Sequence, residues 1–341
     1  YLKASNAEGS DGFGFSVTLA TRAPDHHVLA VGAPQEDGDG SDGSDNSLPG
    51  SGAVYTFTKI AGTWSESAYR KASNPGGNDR FGHAVALSAD GLHLAVGAPQ
   101  ESGSVKGVDG AHDDVAANSG AAYAYVFEND AWSNDPAYIK ASNTDAGDSF
   151  GWSVALSADG AVLAVGAYLE DSAAVGVNGD QTSNAAPGSG AVYVYVRNED
   201  GQWSHDAYLK ASNADGSVEG NPNLGDVFGY AIALSEEGDV LVVGAYSEDS
   251  AATGIGGDQA ANATTNSGAA YVFRRVDGDW RQQAYVKAPN PGNDDVFGDE
   301  LALSGDGSTL AVGAPLEDGG ATGVGGAMNN AVTNSGAVYL Y

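Results

Sequence analysis

Carboxylates recur in register along this chain, and their spacing is one that suits a hard cation. A glutamate stands three residues beyond the alanine of each of five Val-Gly-Ala phrases, at Glu36, Glu101, Glu170, Glu248 and Glu317. An aspartate follows it in four of them (Asp37, Asp171, Asp249, Asp318), and Ser102 takes that place in the second. The first loop runs on as Asp37-Gly-Asp39-Gly-Ser-Asp42-Gly-Ser-Asp45, the second holds Asp109, Asp113 and Asp114, and the third and fourth carry Gly-Asp-Gln at Asp180 and Asp258. Another aspartate lies two residues before each Phe-Gly pair: Asp11, Asp79, Asp148, Asp226 and Asp295. Alternating carboxylates and glycines let a loop wrap calcium, which takes six to eight oxygen ligands. The candidate calcium ligands are Asp37, Asp39, Asp45, Glu170, Asp171, Asp180, Glu248, Asp249 and Asp258, with Asp148 and Asp226 beside them. Two other readings stay open. These side chains can cap loop amides, as Asx-turns do, or pair with Lys3, Lys71, Lys140, Lys210 and Lys287. Only 14 residues are basic, so five lysines at one repeat position point to structure rather than to a ligand.

Other chemistry is poorly represented. The six histidines (His26, His27, His83, His93, His112, His205) occupy unrelated positions without metal-ligand spacing. No nucleophile elbow, phosphate loop or zinc-protease helix is present. Acidic pairs of the glycosidase kind are abundant, but they follow the repeat, whereas a catalytic pair breaks it. The repeated aromatics, Trp64, Trp132, Trp203 and Trp280 with Tyr1, Tyr69, Tyr138, Tyr208 and Tyr285, could stack on sugars or pack sheet on sheet; packing is the simpler expectation. Cysteine is absent, which excludes disulfides and thiol chemistry. A net charge of −31 repels nucleic acid and anionic lipid; it suits cations or basic partners, or serves solubility and salt adaptation alone. No apolar run approaches the length of a membrane span. The chain opens at Tyr1 without a signal peptide, as a processed or excised piece would.

The elements that must position these residues are strands. Phe-Gly recurs at Phe13, Phe81, Phe150, Phe228 and Phe297, with intervals of 68, 69, 78 and 69 residues. Each unit reads as Phe-Gly and an apolar strand, a tight turn, a second strand ending in Val-Gly-Ala, a long polar loop, Ser-Gly-Ala opening a Tyr-rich third strand, and an outer strand of the type Trp…Ala-Tyr-Leu-Lys-Ala-Ser-Asn. In the third unit these are Gly151–Ser157, Val162–Gly166, Ala191–Val196 and Trp203–Lys210. A fixed period of short strands marks a repeat architecture, and first strands with little polar alternation suit sheets covered on both faces. The expected fold is all-β: a five-bladed β-propeller of four-stranded antiparallel blades, one domain over 1–341. Blade limits fall near 7–74, 75–143, 144–213, 214–290, and 291–341 with 1–6. Tyr1–Asn6 would close it beside Ala337–Tyr341.

Phe-Gly followed by Val-Gly-Ala-Pro, as in Phe81-Gly82 to Ala98-Pro99, Phe13 to Pro34 and Phe297 to Pro315, resembles the FG-GAP repeat. That repeat builds the propeller of integrin α subunits and of many bacterial extracellular proteins. The resemblance spans all five units, although units three and four place Tyr168 and Tyr246 where the family has proline. It implies an extracellular or cell-surface, non-enzymatic binding or adhesion module. Its implied partners are a protein or glycan ligand on the loop face, with no nucleic acid and no membrane insertion, and the isolated domain would be a monomer. Two departures stand out. Integrin propellers have seven blades, and the family's calcium loop is shortened here to turns such as Ser88-Ala-Asp-Gly91. Calcium, if bound, belongs instead to the long loops named above. The alternatives are a propeller lectin with one sugar site per blade, or a hydrolase with a channel-mouth pocket marked by the insertion Gly216–Gly225.

Overall fold

The computed structural model describes residues 1–40, 45–216, 225–326, 329 and 331–341. Among these there are strands and turns and no helix. The strands are β1 (Ser16–Ala23), β2 (His26–Ala33), β3 (Ala53–Ile60) and β4 (Thr63–Arg70); β5 (Ala84–Leu87), β6 (His93–Ala98), β7 (Ala121–Glu128), β8 (Ala131–Trp132) and β9 (Ala137–Ile139); β10 (Ser153–Leu156), β11 (Val162–Ala167), β12 (Ala191–Arg197) and β13 (Trp203–Leu209); β14 (Ile232–Leu234), β15 (Val240–Ala245), β16 (Ala269–Val276) and β17 (Asp279–Val286); and β18 (Leu301–Leu303), β19 (Leu310–Ala314) and β20 (Ala337–Leu340). They form five antiparallel sheets in chain order, with β8 and β9 both pairing with β7. All-β with five propeller-type blades is therefore the observed fold class. Two compact units are present, 1–167 with 193–206, and 168–192 with 207–341.

The repeated phrases have steric reasons. Gly97 of the Val-Gly-Ala in β6 has no space for a side chain, because a Cβ there would lie 1.9 Å from the Gly151 carbonyl oxygen of the next sheet. Gly120, from Ser-Gly-Ala, has φ +81° and bridges to Phe150, where a Cβ would sit 2.0 Å from the Phe150 carbonyl oxygen. Glycine thus lets the backbones of neighbouring sheets touch. Phenylalanines of the Phe-Gly pairs fill the space beside those contacts. Phe81 meets Tyr123 edge-on at 5.3 Å and Phe297 meets Tyr339 at 5.5 Å, the geometry favoured by ring quadrupoles. In the first unit Val28, Val54, Phe81, Val96, Tyr123, Trp132 and Tyr138 form one buried cluster. In the second, Val242, Val286, Phe297, Leu310 and Val312 form another.

Tyr1–Ser10 contains no strand, and the fifth sheet has three strands, β18-β19-β20, so closure by the N-terminal segment is not shown. The segment packs on the first sheet. Ala4 is buried against Tyr55 and Phe57, and Asn6 accepts the Tyr55 hydroxyl at 2.6 Å. The Ser5 hydroxyl and amide both donate to Glu66. These polar contacts fix residues 4–6 on the first sheet and leave Tyr1 wholly exposed.

Candidate functional site

Each long loop begins with a glutamate that several segments hold in place. In the second sheet the loop turns just after β6 and buries Glu101. Side chains two apart share one face of a strand, so β9 and its continuation bring Tyr138 and Lys140 to the same carboxylate. The Tyr138 hydroxyl donates to Oε1 at 2.7 Å, and Lys140 Nζ donates to Oε2 at 2.7 Å. The Gly103 amide donates to Oε2 at 3.0 Å, and the Asn74 amide nitrogen donates to Oε1 at 3.0 Å. Asn74 closes the circuit by accepting the Tyr123 hydroxyl at 2.7 Å. Lys140 also donates to Ser119 Oγ at 2.7 Å, and that hydroxyl donates to the Gly103 carbonyl at 2.8 Å. Serine of Ser-Gly-Ala thereby ties the far end of the loop to its beginning.

The arrangement repeats. Lys71–Glu36, Lys210–Glu170 and Lys287–Glu248 are 2.5, 2.8 and 2.6 Å apart. Tyr69, Tyr208 and Tyr285 donate to the same glutamates at 2.8, 2.9 and 2.7 Å. Ser51, Ser189 and Ser267 accept from the lysines at 2.6, 2.7 and 2.7 Å. Lys140, Lys210 and Lys287 are fully buried. Burial pulls each lysine below its ordinary pKa, and the facing glutamate opposes that pull. Burial first, then the adjacent carboxylate, drives the Tyr138 and Tyr285 phenols well above their usual range. Buried ion pairs are tolerated when further hydrogen bonds support both ions, as the tyrosine and loop amide do for Glu101, Glu170 and Glu248 and the serine does for each lysine. Glu317 of the fifth loop is also buried and accepts from Asn290 at 2.9 Å and the Gly319 amide at 2.7 Å. Among the described residues no lysine or tyrosine hydroxyl reaches it.

The aspartates expected to bind calcium mostly serve the loops. Asp37, Asp171 and Asp249 accept the amides of Gly50, Gly188 and Asn266 at 2.7–2.8 Å, pinning the loop ends. Asp45 accepts the Asp39 and Ser47 amides and the Ser47 hydroxyl. Asp180 and Asp258 accept the amides two residues on, from Thr182 and Ala260. Asp148 and Asp226 accept the Asp145 and Asp215 amides at 3.1 and 3.0 Å. Asp42 lies outside the described residues, as does most of the Gly216–Gly225 insertion. Among the described residues no three acidic or histidine side chains converge enough to share an ion. Glu170 and Glu248 already hold a lysine.

The two acidic series do come together electrostatically. Burial, reinforced by Glu101 and Asp114, pushes Asp79 up to about 7. Burial also raises Asp226, with Glu248, Asp215 and Asp249 adding to it. Of the repeated aromatics, Trp132, Trp203, Trp280, Tyr138, Tyr208 and Tyr285 are buried, as packing requires and sugar stacking does not, whereas Trp64 and Tyr69 are half-buried. Sequence reasoning missed the serines and asparagines of the network, whose only signal is their recurrence in phase. It also missed a shallow groove of about 510 Å³ lined by Asp109, His112, Asp135, Tyr138, Asp200 and Trp203. The groove exists because Ser133–Pro136 splits the outer strand into β8 and β9, and proline is the one residue there that signals such a break.

Comparison with known proteins places the chain. No curated protein sequence matches it. Among solved structures it is similar to Chaetomium thermophilum Sqt1 bound to the N-terminus of a ribosomal protein. Identity is 14%, TM-score 0.46, and coverage 88% of this chain but only 57% of that one. It is also similar to a Bacteroides uniformis protein provisionally classed as a 6-phosphogluconolactonase, with 10% identity, TM-score 0.46, and 96% and 88% of the two chains covered. A third is the Dos1 propeller, with 10% identity, TM-score 0.44, and 87% and 51% covered. The FG-GAP repeat matches four times, at residues 64–127, 133–195, 203–273 and 280–341. Taking in well over half of its length, these matches show that the chain belongs to the FG-GAP repeat family.

Proposed function

We propose that the chain is a non-enzymatic, extracellular or cell-surface binding module of the integrin-like kind, which presents its long loops to a protein ligand. The observation that carries this is the division of labour within each loop. Glu101, Glu170 and Glu248 anchor one end on a lysine of the outer strand, and Ser119, Ser189 and Ser267 anchor the other. Between the anchors the loops bare apolar side chains, Val115, Val175 and Ile255, among carboxylates. A fixed base with exposed mixed-polarity tips is how rigid scaffolds display recognition loops. The acidic surface favours a ligand with a basic face. The engagement of the carboxylates as caps and in ion pairs supports a binding role.

The test is a pair of arrays, one of purified extracellular proteins and one of glycans, probed with the chain. A second probe carries Val115→Ser, Val175→Ser and Ile255→Ser on the loops. Protein hits that the triple variant loses support the reading. Hits confined to glycans would replace it with a lectin, and turnover of any arrayed compound would replace it with an enzyme.

A further inference from the structure

We propose that Tyr168, Tyr230 and Tyr246, with the Asp299 carboxylate beside them, form a binding site for a methylated ammonium group. Two of these tyrosines depart from the repeat. The residue after Val-Gly-Ala is proline in the first, second and fifth units (Pro34, Pro99, Pro315) and tyrosine only at Tyr168 and Tyr246. The repeat therefore does not require a ring at that position. All three rings are half-buried and keep a surface open to solvent, unlike the fully buried Tyr193 and Tyr271 of the third strands. Tyr230 stands nearly perpendicular to both of the others, with centroids 5.7 Å apart and planes at 84° for Tyr168, and 4.6 Å and 79° for Tyr246.

Backbone contacts explain why these side chains meet. The Gly229 amide donates to the Gly244 carbonyl at 3.0 Å and the Gly244 amide donates to the Ala231 carbonyl at 2.9 Å, which sets Tyr230 opposite Gly244. Tyr246 stands two residues further along. A Cβ on Gly244 would lie 2.0 Å from the Gly298 carbonyl oxygen, so the backbone of the fifth sheet rests on that glycine and carries its next residue, Asp299, to the tyrosines. In the fifth unit Asp299 holds the place that Tyr230 holds in the fourth. Burial first, then the charge of Asp299 and the neighbouring Tyr246, Tyr168 and Glu300, pushes the Tyr230 phenol up to about 12. Among the described residues nothing donates a hydrogen bond to the Asp299 carboxylate, and burial raises it; burial and Asp299 together raise Glu300. Partly desolvated carboxylates without donors favour a cation over a neutral ligand. Tyrosine faces attract the same cation through their quadrupoles, and such rings are how quaternary ammonium groups are recognised. The site uses none of the loop-tip residues and does not depend on what those bind.

The test is calorimetric titration of the chain, at constant ionic strength, with choline and with dimethylbutanol, its neutral isostere in which carbon replaces the ammonium nitrogen. Saturable one-to-one binding of choline is expected, at least tenfold tighter than that of the alcohol. Tyr168→Pro and Tyr246→Pro restore the residue of the other units, and each should weaken choline at least tenfold with melting little changed. Asp299→Asn should weaken it as much. That carboxylate holds no hydrogen bond among the described residues, so this variant decides the matter if a proline variant fails to fold. Equal affinity for the alcohol overturns the proposal in favour of a merely apolar contact. No saturable binding of choline, or unchanged affinity in Asp299→Asn, overturns it outright. A parallel arm with phosphatidylcholine vesicles names the source: vesicle binding displaced by choline supports a lipid headgroup at the site, and choline binding without it supports a free small cation there.

Discussion

Replacing Lys140 by methionine keeps most of the length and the apolar stem of the side chain and removes the charge with its donors. In the structure Lys140 Nζ lies 2.7 Å from Glu101 Oε2, and the two side chains are 0% and 1% exposed. After the change Glu101 keeps Tyr138, Asn74 and the Gly103 amide, all neutral donors, and loses its cation. Breaking a buried pair in this way costs about 3–5 kcal/mol, because the remaining charge stays desolvated. Unfolding entropy near 2.1 cal/mol/K per residue gives about 0.7 kcal/mol/K for a chain this long, so about 4 kcal/mol lowers Tm by about 6 °C. Glu101→Gln alone should also destabilise, since it strands the ammonium. The double variant leaves no buried charge and should melt above the value expected from adding the two losses, by more than about 1 kcal/mol. Scanning calorimetry on the four proteins at pH 7 measures this, with Lys106→Met on the exposed loop as a control expected within about 0.5 kcal/mol. If Lys140→Met melts with the parent, or the two single losses simply add, then the pair is not the anchor described here.

Gly97→Ala should cost about 3 kcal/mol, since its Cβ would meet the Gly151 carbonyl oxygen at 1.9 Å. Gly107→Ala, with φ +81° and open space around it, should cost only about 1–2 kcal/mol; equal losses in chemical denaturation would refute the steric reading. For pH, Asp79 is raised to about 7 from an ordinary value near 4, so the folded state holds its proton more tightly than the unfolded chain. That contribution is complete below about pH 4 and is lost as pH rises through about 7, and Asp226 and Asp295, also raised by burial, act in the same sense. Melting temperature should therefore fall across this window, and Asp79→Asn should flatten the fall; a parallel curve would deny Asp79 its part. Asp45, Asp113, Asp180 and Asp306, held below the usual carboxylate range by hydrogen bonds, act oppositely and only at lower pH. Calcium should raise Tm no more than a sodium salt of equal ionic strength. A larger rise that a chelator reverses would return the acidic loops to the role of cation ligands.

Periodicity made the fold legible. Phe-Gly, Val-Gly-Ala and Ser-Gly-Ala are steric signatures, and Gly97 and Gly120 show why no larger residue replaces glycine where sheet backbones meet. The lysines were legible for the same reason, because scarce charges at one repeat position imply a repeated partner. The loop carboxylates were not. An alternation such as Asp37-Gly-Asp39 fixes how many oxygens a loop owns, but not whether they turn toward a common centre or back to their own amides. Asp45 turns back, onto Asp39 and Ser47. Tyr1–Asn6 has the letters of an outer strand, and in the structure Asn6, Ala4 and Ser5 have partners on the first sheet.

Ion pairs in place of hydrophobic anchors demand a reason, since well-packed apolar residues would serve stability at least as well. Register supplies one. A strand that slips by one residue turns every side chain to the opposite face, and an apolar Tyr-rich strand such as Ala191–Arg197 has few features to resist it. A buried lysine with one carboxylate and one serine in reach admits a single register, because any other strands a charge in the core. Each unit therefore checks the alignment of its own outer strand. Asn74, Asn213 and Asn290 extend that check to the next glutamate along the chain. The polar network is then what lets near-identical repeats assemble in order while their loops diverge. Exchanging Glu248 and Lys287, as Glu248→Lys with Lys287→Glu, tests the point. The swapped ammonium would face the Ser250 amide and the Asn213 side-chain nitrogen, both donors, so the fourth outer strand should lose protection from hydrogen exchange despite the retained pair.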